Sequence, residues 1–164
     1  MIRETLWEEK KAYGEGIAAN TCPESIKALI PGCIRVEREE SHGNDNGIDY
    51  RAYLRRGTEL LIDVKSRERD AAKYWTDGPE LALEIWSVVP GSTPDCPNGS
   101  VGWTLDESKK TDYTLHVFDP SDSRECFILP FQLLRCAFRH HLIDWKAEFK
   151  VAQQETRHGT RRWK

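Results

Sequence analysis

Two aspartates and a lysine occur at a spacing that could bring their side chains together. Asp49 belongs to one short segment, and Asp63 and Lys65 belong to the apolar run at residues 60–65. Because strand side chains alternate with period two, Asp63 and Lys65 would lie beside each other on one face. The basic turn at residues 55–58 fits a hairpin that places Asp49 on the neighbouring strand. Two carboxylates with one cation at their edge are what hydrolysis of a phosphodiester with bound Mg²⁺ requires.

Alternation in the second segment separates a polar face from an apolar one. Leu60, Ile62 and Val64 share the apolar face, while Glu59 and Leu61 join the aspartate and the lysine on the other. An alternative interpretation is an ion pair on a solvated strand face, which would stabilise the fold little. The three apolar residues, and the Gly-Ile-Asp sequence at hairpin distance, favour a functional site.

The order of these residues resembles the PD-(D/E)XK nuclease superfamily. Its signature is an aspartate on one strand, followed on the next strand by Asp/Glu-X-Lys, which Asp49 and Asp63-Val64-Lys65 match with 13 intervening residues. The family core begins with a helix that carries a glutamate, for which Glu15 is the candidate. The resemblance extends through Glu84 and covers about residues 10–145. A bare match to so short a motif is weak by itself, and the ordered run of elements around it strengthens the resemblance.

The resemblance implies a role for each matched residue. Asp49, Asp63 and the backbone carbonyl of Val64 would bind Mg²⁺, for which Mn²⁺ would substitute, and Glu15 would hold a metal-bound water or a second metal. Lys65 would orient the attacking water or stabilise charge in the transition state. Glu84 is an auxiliary candidate for a metal or water ligand, with an outward-facing position at a sheet edge as the alternative.

The implied fold is of the α/β (α+β) class, restriction-endonuclease-like, with a mixed central β-sheet flanked by α-helices. We expect one nuclease-like domain at residues 1–150, followed by a basic, mobile tail at residues 151–164. The hydrophobic pattern predicts the following elements: helices at residues 3–20, from 21 to 31 and at 130–149, strands at 34–37, from 48, at 60–65, 81–86 (the third central strand), 113–118 and 126–129, and a loop at 66–78. In the last helix we expect Leu133, Leu134, Ala137, Phe138 and Leu142 to form the packed side.

Net charge restricts the kind of nucleic-acid binding that the chain could show. The formal net charge is −3, whereas a protein that coats nucleic acid is normally basic. A nuclease escapes this objection because metal neutralises its acidic site, so local charge matters more than net charge. The expected DNA-binding residues are basic side chains around the motif and one tryptophan that could stack on a base: Arg51, Arg55, Arg56, Arg67, Arg69, Lys73 and Trp75.

Cysteine usage and the amino-terminal residues indicate a compartment. The five cysteines are an odd number without Cys-X-X-Cys spacing, so neither a disulfide framework nor a zinc site is expected. The amino terminus is too charged for a signal peptide, and no apolar run reaches membrane-spanning length. We therefore expect a cytoplasmic protein that does not contact a membrane.

The leading expectation is a Mg²⁺-dependent deoxyribonuclease that leaves 5′-phosphates. One alternative is a non-catalytic binding or inhibitory module on the same fold, from a phage or mobile element. The presence of Asp49, Asp63 and Lys65 together argues against it. Another alternative is a structure-specific resolvase of the Holliday-junction type. DNA is the expected partner, with RNA left open, and a homodimer could form through the apolar residues of the last helix.

Overall fold

A computed structural model describes residues 22–39, 46–67, 81–118 and 125–148, and the backbone of residues 152–156 and 159–163. The first predicted helix with Glu15, and the segment with Arg69, Lys73 and Trp75, lie outside the described residues. The elements in chain order are α1 (residues 22–29), β1 (Cys33–Arg38), β2 (Tyr50–Leu54), β3 (Glu59–Arg67), β4 (Glu84–Val88), β5 (Ser100–Val101), β6 (Tyr113–Phe118), β7 (Glu125–Pro130), α2 (Phe131–Glu148), β8 (Ala152–Thr156) and β9 (Gly159–Trp163).

The described elements confirm a chain of mixed α and β structure with a mixed sheet. The chain divides into two compact units, whereas the sequence analysis predicts a single domain over residues 1–150. The first unit comprises Met1–Glu80 and Lys110–Pro130, and the second comprises Leu81–Lys109 and Phe131–Lys164. Each unit contains one of the two described sheets.

The sheet of the first unit has the strand order β1-β2-β3-β6-β7. Strand β3 pairs with β6 in parallel, and the other neighbours pair antiparallel. The predicted hairpin is present, because β2 and β3 pair with Tyr50 opposite Ile62 and Tyr53 opposite Glu59. Its turn contains Gly57 at a φ of +80°, a conformation that glycine adopts without the steric cost of a side chain. Strand β3 continues to Arg67, beyond the predicted start of the loop at residue 66.

One face of this sheet forms the core of the first unit. Ile62 and Leu115, from the adjacent central strands, are fully buried and pack in one cluster with Cys22, Ile26 and Ile30 from the short helix α1 and the turn after it. Full burial of an isoleucine or leucine side chain contributes about 1.5–3 kcal/mol to stability. The packing fixes the direction of β3, so its alternate residues must face away from α1.

The second unit contains an antiparallel sheet with the order β5-β4-β9-β8. Two predictions are corrected here. Residues 81–86 are not the third central strand, because β4 begins at Glu84 and belongs to this second sheet. Residues 152–156 and 159–163 form two paired strands where a tail is predicted, and β9 also pairs with β4. The polar composition indicated a tail, but a strand can be held by backbone hydrogen bonds without an apolar side-chain pattern.

The packed side of helix α2 is confirmed at Leu134, Phe138 and Leu142, which belong to the second core, and is wrong at Leu133 and Ala137. Leu133 is 69% exposed and Ala137 is also exposed, while Phe131, Arg135 and Phe138 are buried. These three residues follow a spacing of four and three, which is one helical face. The buried face also includes Arg135, which the apolar pattern does not predict because it does not report that the aliphatic stem of an arginine can be buried. Phe138 packs with Leu83 and Ile85 in the second core.

Neither of the helices described above is long and apolar enough to cross a membrane.

Candidate active site

Asp49 and Asp63 meet across the open end of the β2–β3 hairpin. The register of the two strands ends with Tyr50 opposite Ile62, so Asp49 and Asp63 each lie one residue beyond the last pair. The Asp49 N–H donates to the Ile62 carbonyl over 2.8 Å, which holds Asp49 against β3. A hydrogen bond joins the two carboxyl groups. The hairpin therefore places two carboxylates next to each other although 13 residues separate them in sequence.

The Asp49 side chain also replaces a backbone acceptor. Its Oδ2 accepts a hydrogen bond of 2.7 Å from the Val64 N–H. A charged acceptor on a backbone amide makes a stronger bond than a neutral carbonyl does. This bond fixes the Asp49 carboxylate alongside β3, beside the residue whose carbonyl is the further predicted metal ligand.

Lys65 binds the carboxylate of Asp63 through both oxygens. The Lys65 Nζ lies 2.9 Å from Oδ1 and 2.7 Å from Oδ2. The Asp63 side chain is only 6% exposed, while that of Lys65 is 30% exposed. The two residues are separated by one position on the strand, as the predicted alternation requires. This pair differs from the solvated ion pair that was the alternative, because its acidic partner is buried.

Burial raises the pKa of Asp63 to about 6, although the neighbouring Lys65 ammonium lowers it. Asp49 also raises this pKa, both by its charge and by a hydrogen bond between the two carboxyl groups. Two carboxylates close enough to share a hydrogen bond repel each other when both are ionised. One ammonium offsets only one of the two charges, so the site favours an additional cation.

The residues present fit a Mg²⁺ ion, which binds oxygen ligands and usually takes one or two protein carboxylates together with water. Among the residues that the structure describes, no group of three or more histidine, cysteine, aspartate or glutamate side chains could hold a metal ion. A metal site here would therefore consist of the Asp49 and Asp63 carboxylates, the Val64 carbonyl and water. The third predicted carboxylate, Glu15, lies outside the described residues.

Strand β6 adds two polar residues that the sequence analysis missed. Its parallel register places Thr114 beside Asp63 and His116 beside Lys65. Both are buried, and the His116 Nε2 lies 3.2 Å from the Thr114 Oγ1. A signal exists in the sequence, since polar residues at alternate positions interrupt an otherwise apolar strand. Their place beside the motif, however, depends on the pairing of β3 with β6, which the sequence does not reveal.

The predicted DNA-binding residues Arg51, Arg55 and Arg56 lie at different places on the β2–β3 hairpin. Arg51 lies between two carboxylates, with its Nε 2.6 Å from the Glu39 Oε2 and its Nη1 bonded to Glu59. The hydrogen bonds to Glu39 and then Glu59 raise the pKa of Arg51. These ion pairs neutralise the positive charge with which Arg51 would bind a phosphate.

The two arginines of the hairpin turn are exposed, but they lie at the far end of the hairpin from the carboxylate pair. From Glu59, where β3 begins after the turn, to Asp63 the strand rises by about 13 Å. Arg55 and Arg56 are therefore not brought to the candidate site. Arg67 is the last residue of β3, opposite Phe118, and nothing is described of its side chain.

Glu84 belongs to the second unit, where its own neighbours hold its carboxylate. Its Oε2 accepts hydrogen bonds from the Ser87 hydroxyl over 2.7 Å and from the Trp103 N–H over 3.1 Å. The residue is 9% exposed, so it is not the outward-facing residue of the alternative interpretation. A Cβ at Gly102 would lie 2.3 Å from the Glu84 carbonyl oxygen, which explains the glycine before Trp103. The auxiliary metal role of Glu84 stays a prediction.

Comparison of the chain with protein-family models, with curated proteins and with solved structures gives no match in any of the three.

Proposed function

We propose that the protein is a metal-dependent nuclease that hydrolyses DNA phosphodiester bonds and leaves 5′-phosphates. The observation that carries the proposal is the convergence of Asp49, Asp63 and Lys65 at the open end of a hairpin, where a hydrogen bond joins the two carboxyl groups and Lys65 binds that of Asp63. We further propose that the first unit has the restriction-endonuclease-like fold. Its support is a mixed sheet in which an aspartate enters one strand and Asp-Val-Lys lies on the next.

Each residue of the carboxylate and lysine site would have its own role in the reaction. Asp49 and Asp63, with the Val64 carbonyl, would hold Mg²⁺ or Mn²⁺. When bound, the metal would supply Lewis-acid polarisation of the phosphate and lower the pKa of a bound water. Lys65 is the one cation that the described residues place on the carboxylate pair. Its ammonium would stabilise the negative charge that develops on the phosphate in the transition state.

Partial burial makes these interactions stronger than they would be in water. Asp63 is 4% exposed, and the neighbouring Thr114 and His116 are also buried. The effective dielectric at such a site is well below that of bulk water, so each charge has a larger effect on the reacting phosphate. The Lys65 side chain is 30% exposed, so part of it is in contact with solvent.

Cleavage of linear, circular, single-stranded and branched DNA with Mg²⁺ or Mn²⁺ tests the proposal. We expect wild-type cleavage to require metal and to disappear with Asp49→Asn or Asp63→Asn. Lys65→Met should lower kcat by about 10²–10³-fold, the usual cost of removing one charge-stabilising donor.

Asp112→Asn is a matched control for Asp49→Asn. The Asp112 Oδ2 likewise accepts a backbone N–H of β3, from Leu61 over 2.8 Å, but it does not belong to the carboxylate pair. Asp112→Asn should retain activity. A folded wild-type protein that cuts no substrate with either metal would refute the proposal and favour a non-catalytic binding module. Cleavage unaffected by Asp63→Asn would assign the activity to another part of the chain or to a contaminant.

A further inference from the structure

An exposed aromatic residue lies on the same sheet face as the candidate active site. Lys65 is opposite His116 on β6, and His116 is opposite Phe127 on β7. The next row, Val64, Leu115 and Ile128, belongs to the core on the other face of the sheet. The row that contains Lys65 and Phe127 therefore faces away from α1, as Asp63 does.

Exposed and buried side chains alternate along this row. Lys65 has a side chain that is 30% exposed, His116 is 3% exposed and Phe127 is 41% exposed. A buried imidazole thus separates a partly exposed lysine side chain from an exposed aromatic ring. Neighbouring strands are about 4.8 Å apart, so the Lys65 and Phe127 backbones are separated by about 10 Å. One nucleotide can span such an interval, with its phosphate at the lysine and its base at the ring.

Phe118 supports the exposed ring from one edge. The two ring centroids are 5.8 Å apart and the rings are inclined at 73°, which is an edge-to-face arrangement. Phe118 itself is 1% exposed, so the contact holds Phe127 against the sheet while leaving part of its surface in solvent. A ring supported in this way has lost part of its motional freedom before a ligand binds. Binding then requires less ordering of the side chain.

We propose that Phe127 is a stacking surface for an unpaired base, and that the substrate of the site is single-stranded nucleic acid. This inference rests on the proposed nuclease function, because it takes Lys65 as the position of the substrate phosphate. Base stacking on an aromatic side chain is tolerant of sequence, since every base has a π-face. A base inside a duplex is already stacked on its neighbours, and it would have to leave the helix at a cost of a few kcal/mol. An aromatic ring lying on a sheet therefore selects bases that are already unpaired.

Isolated exposed hydrophobic residues are common on protein surfaces, so position is the reason for choosing Phe127. Ile34 on β1 is more exposed, at 56%, and lies on the strand at the opposite edge of the described sheet. It lies near the turn end of the β2–β3 hairpin, away from Lys65, because the preceding residue, Cys33, is opposite Leu54. Ile34→Ala is therefore the matched control for the loss of an exposed apolar side chain.

The test is fluorescence anisotropy with labelled oligonucleotides in EDTA, which prevents metal-dependent hydrolysis during the titration. The probes are a single-stranded DNA, a single-stranded RNA of the same sequence and the corresponding DNA duplex. Wild type is compared with Phe127→Ala, Phe127→Leu, Phe127→Trp and Ile34→Ala. The leucine variant retains apolar area and removes stacking, while the tryptophan variant retains stacking.

We expect Phe127→Ala to weaken single-strand binding by about 5- to 150-fold, the range that corresponds to one stacked base. Phe127→Trp should bind at least as tightly as wild type, and Phe127→Leu should be closer to the alanine variant. Ile34→Ala should bind single strands like wild type, and the duplex should bind more weakly than either single strand. Comparison of the two single-stranded probes shows whether the site prefers DNA or RNA.

Two results would overturn the inference. One is equal binding of single strands by wild type and Phe127→Ala. The other is equal affinity of the leucine and tryptophan variants, which would assign the effect to apolar area. Cleavage with Mg²⁺ is measured separately. Single-strand binding that depends on Phe127, without any cleavage, would refute the proposed nuclease activity and support the proposed stacking role of Phe127. Cleavage without an effect of Phe127→Ala would refute the stacking surface alone.

Discussion

Asp63→Asn should make the metal-free protein more stable above neutral pH while abolishing its activity. The pKa of Asp63 is about 6 in the folded protein, against 3.8 for an ordinary aspartate. The cause is burial first, which the Lys65 ammonium offsets only in part. Because the folded-state pKa is raised, the folded chain binds this proton more tightly than the unfolded chain does. Stability is therefore lost as the pH rises from about 4 to about 6.

The magnitude follows from the interval between the two pKa values, which corresponds to about 3 kcal/mol. Asparagine removes this cost because it is neutral at every pH. The raised pKa already contains the favourable effect of Lys65, which lowers it. The net gain above pH 7 is therefore about 3 kcal/mol, or a rise in Tm of about 6–12 °C for a chain of this length.

Thermal and urea unfolding in EDTA between pH 4 and pH 8 would measure this gain. The difference between Asp63→Asn and wild type should be small at pH 4, grow through pH 6 and become constant above pH 7. Asp112→Asn is the control, because its carboxyl also accepts a β3 N–H but is exposed. A difference that does not change with pH, or a variant less stable than wild type at pH 8, would refute the assigned burial of a charged Asp63.

Three further changes test the proposed metal site and the packing of the second unit. Millimolar Mg²⁺ should raise the Tm of wild type and leave that of Asp63→Asn nearly unchanged. A metal ion that binds only the folded protein stabilises it, and the variant lacks one of the two carboxylates. Equal Tm shifts in both proteins would contradict the metal site. Gly102→Ala should destabilise the second unit by about 1–3 kcal/mol, since the added Cβ would lie 2.3 Å from the Glu84 carbonyl oxygen, and urea unfolding would show it. Phe138→Ala should lower the free energy of unfolding by about 3–5 kcal/mol, because Phe138 is fully buried. Ile143→Ala should change it by less than about 0.5 kcal/mol, because Ile143 is 83% exposed. Similar losses of stability in both variants would contradict the packing of α2.

The local part of the site could be predicted from sequence because it depends on one strand and one turn. Period-two alternation predicts that Asp63 and Lys65 share a face, and the turn before β3 predicts that Asp49 joins them. Both relations involve residues close in the chain. The partnership of β3 with β6 could not be predicted, because parallel strands are joined by long connections that leave no local pattern. Thr114 and His116 were missed for that reason.

Predictions that relied on apolar content alone were less successful. The prediction for α2 holds at Leu134, Phe138 and Leu142 but fails at Leu133 and Ala137. It also leaves out the buried Arg135, whose head group donates to the Asp106 carbonyl over 2.8 Å. Polar composition likewise indicated a tail where β8 and β9 pair. In both places a polar group finds a hydrogen-bond partner, and composition does not report such partners.

The two faces of β3 also determine which kinds of sequence change the protein can tolerate. Core residues and site residues alternate over the interval from Leu60 to Lys65, with Ile62 and Val64 packed against the core and Asp63 between them. Substitutions within this interval affect one face at a time. A single inserted or deleted residue would move every following side chain of the strand to the opposite face of the sheet, because strand side chains alternate with a period of two. The turn at residues 55–58 has exposed side chains and can absorb such length changes. The length of β3 should therefore be far more restricted than its composition, and the turn should show the opposite behaviour.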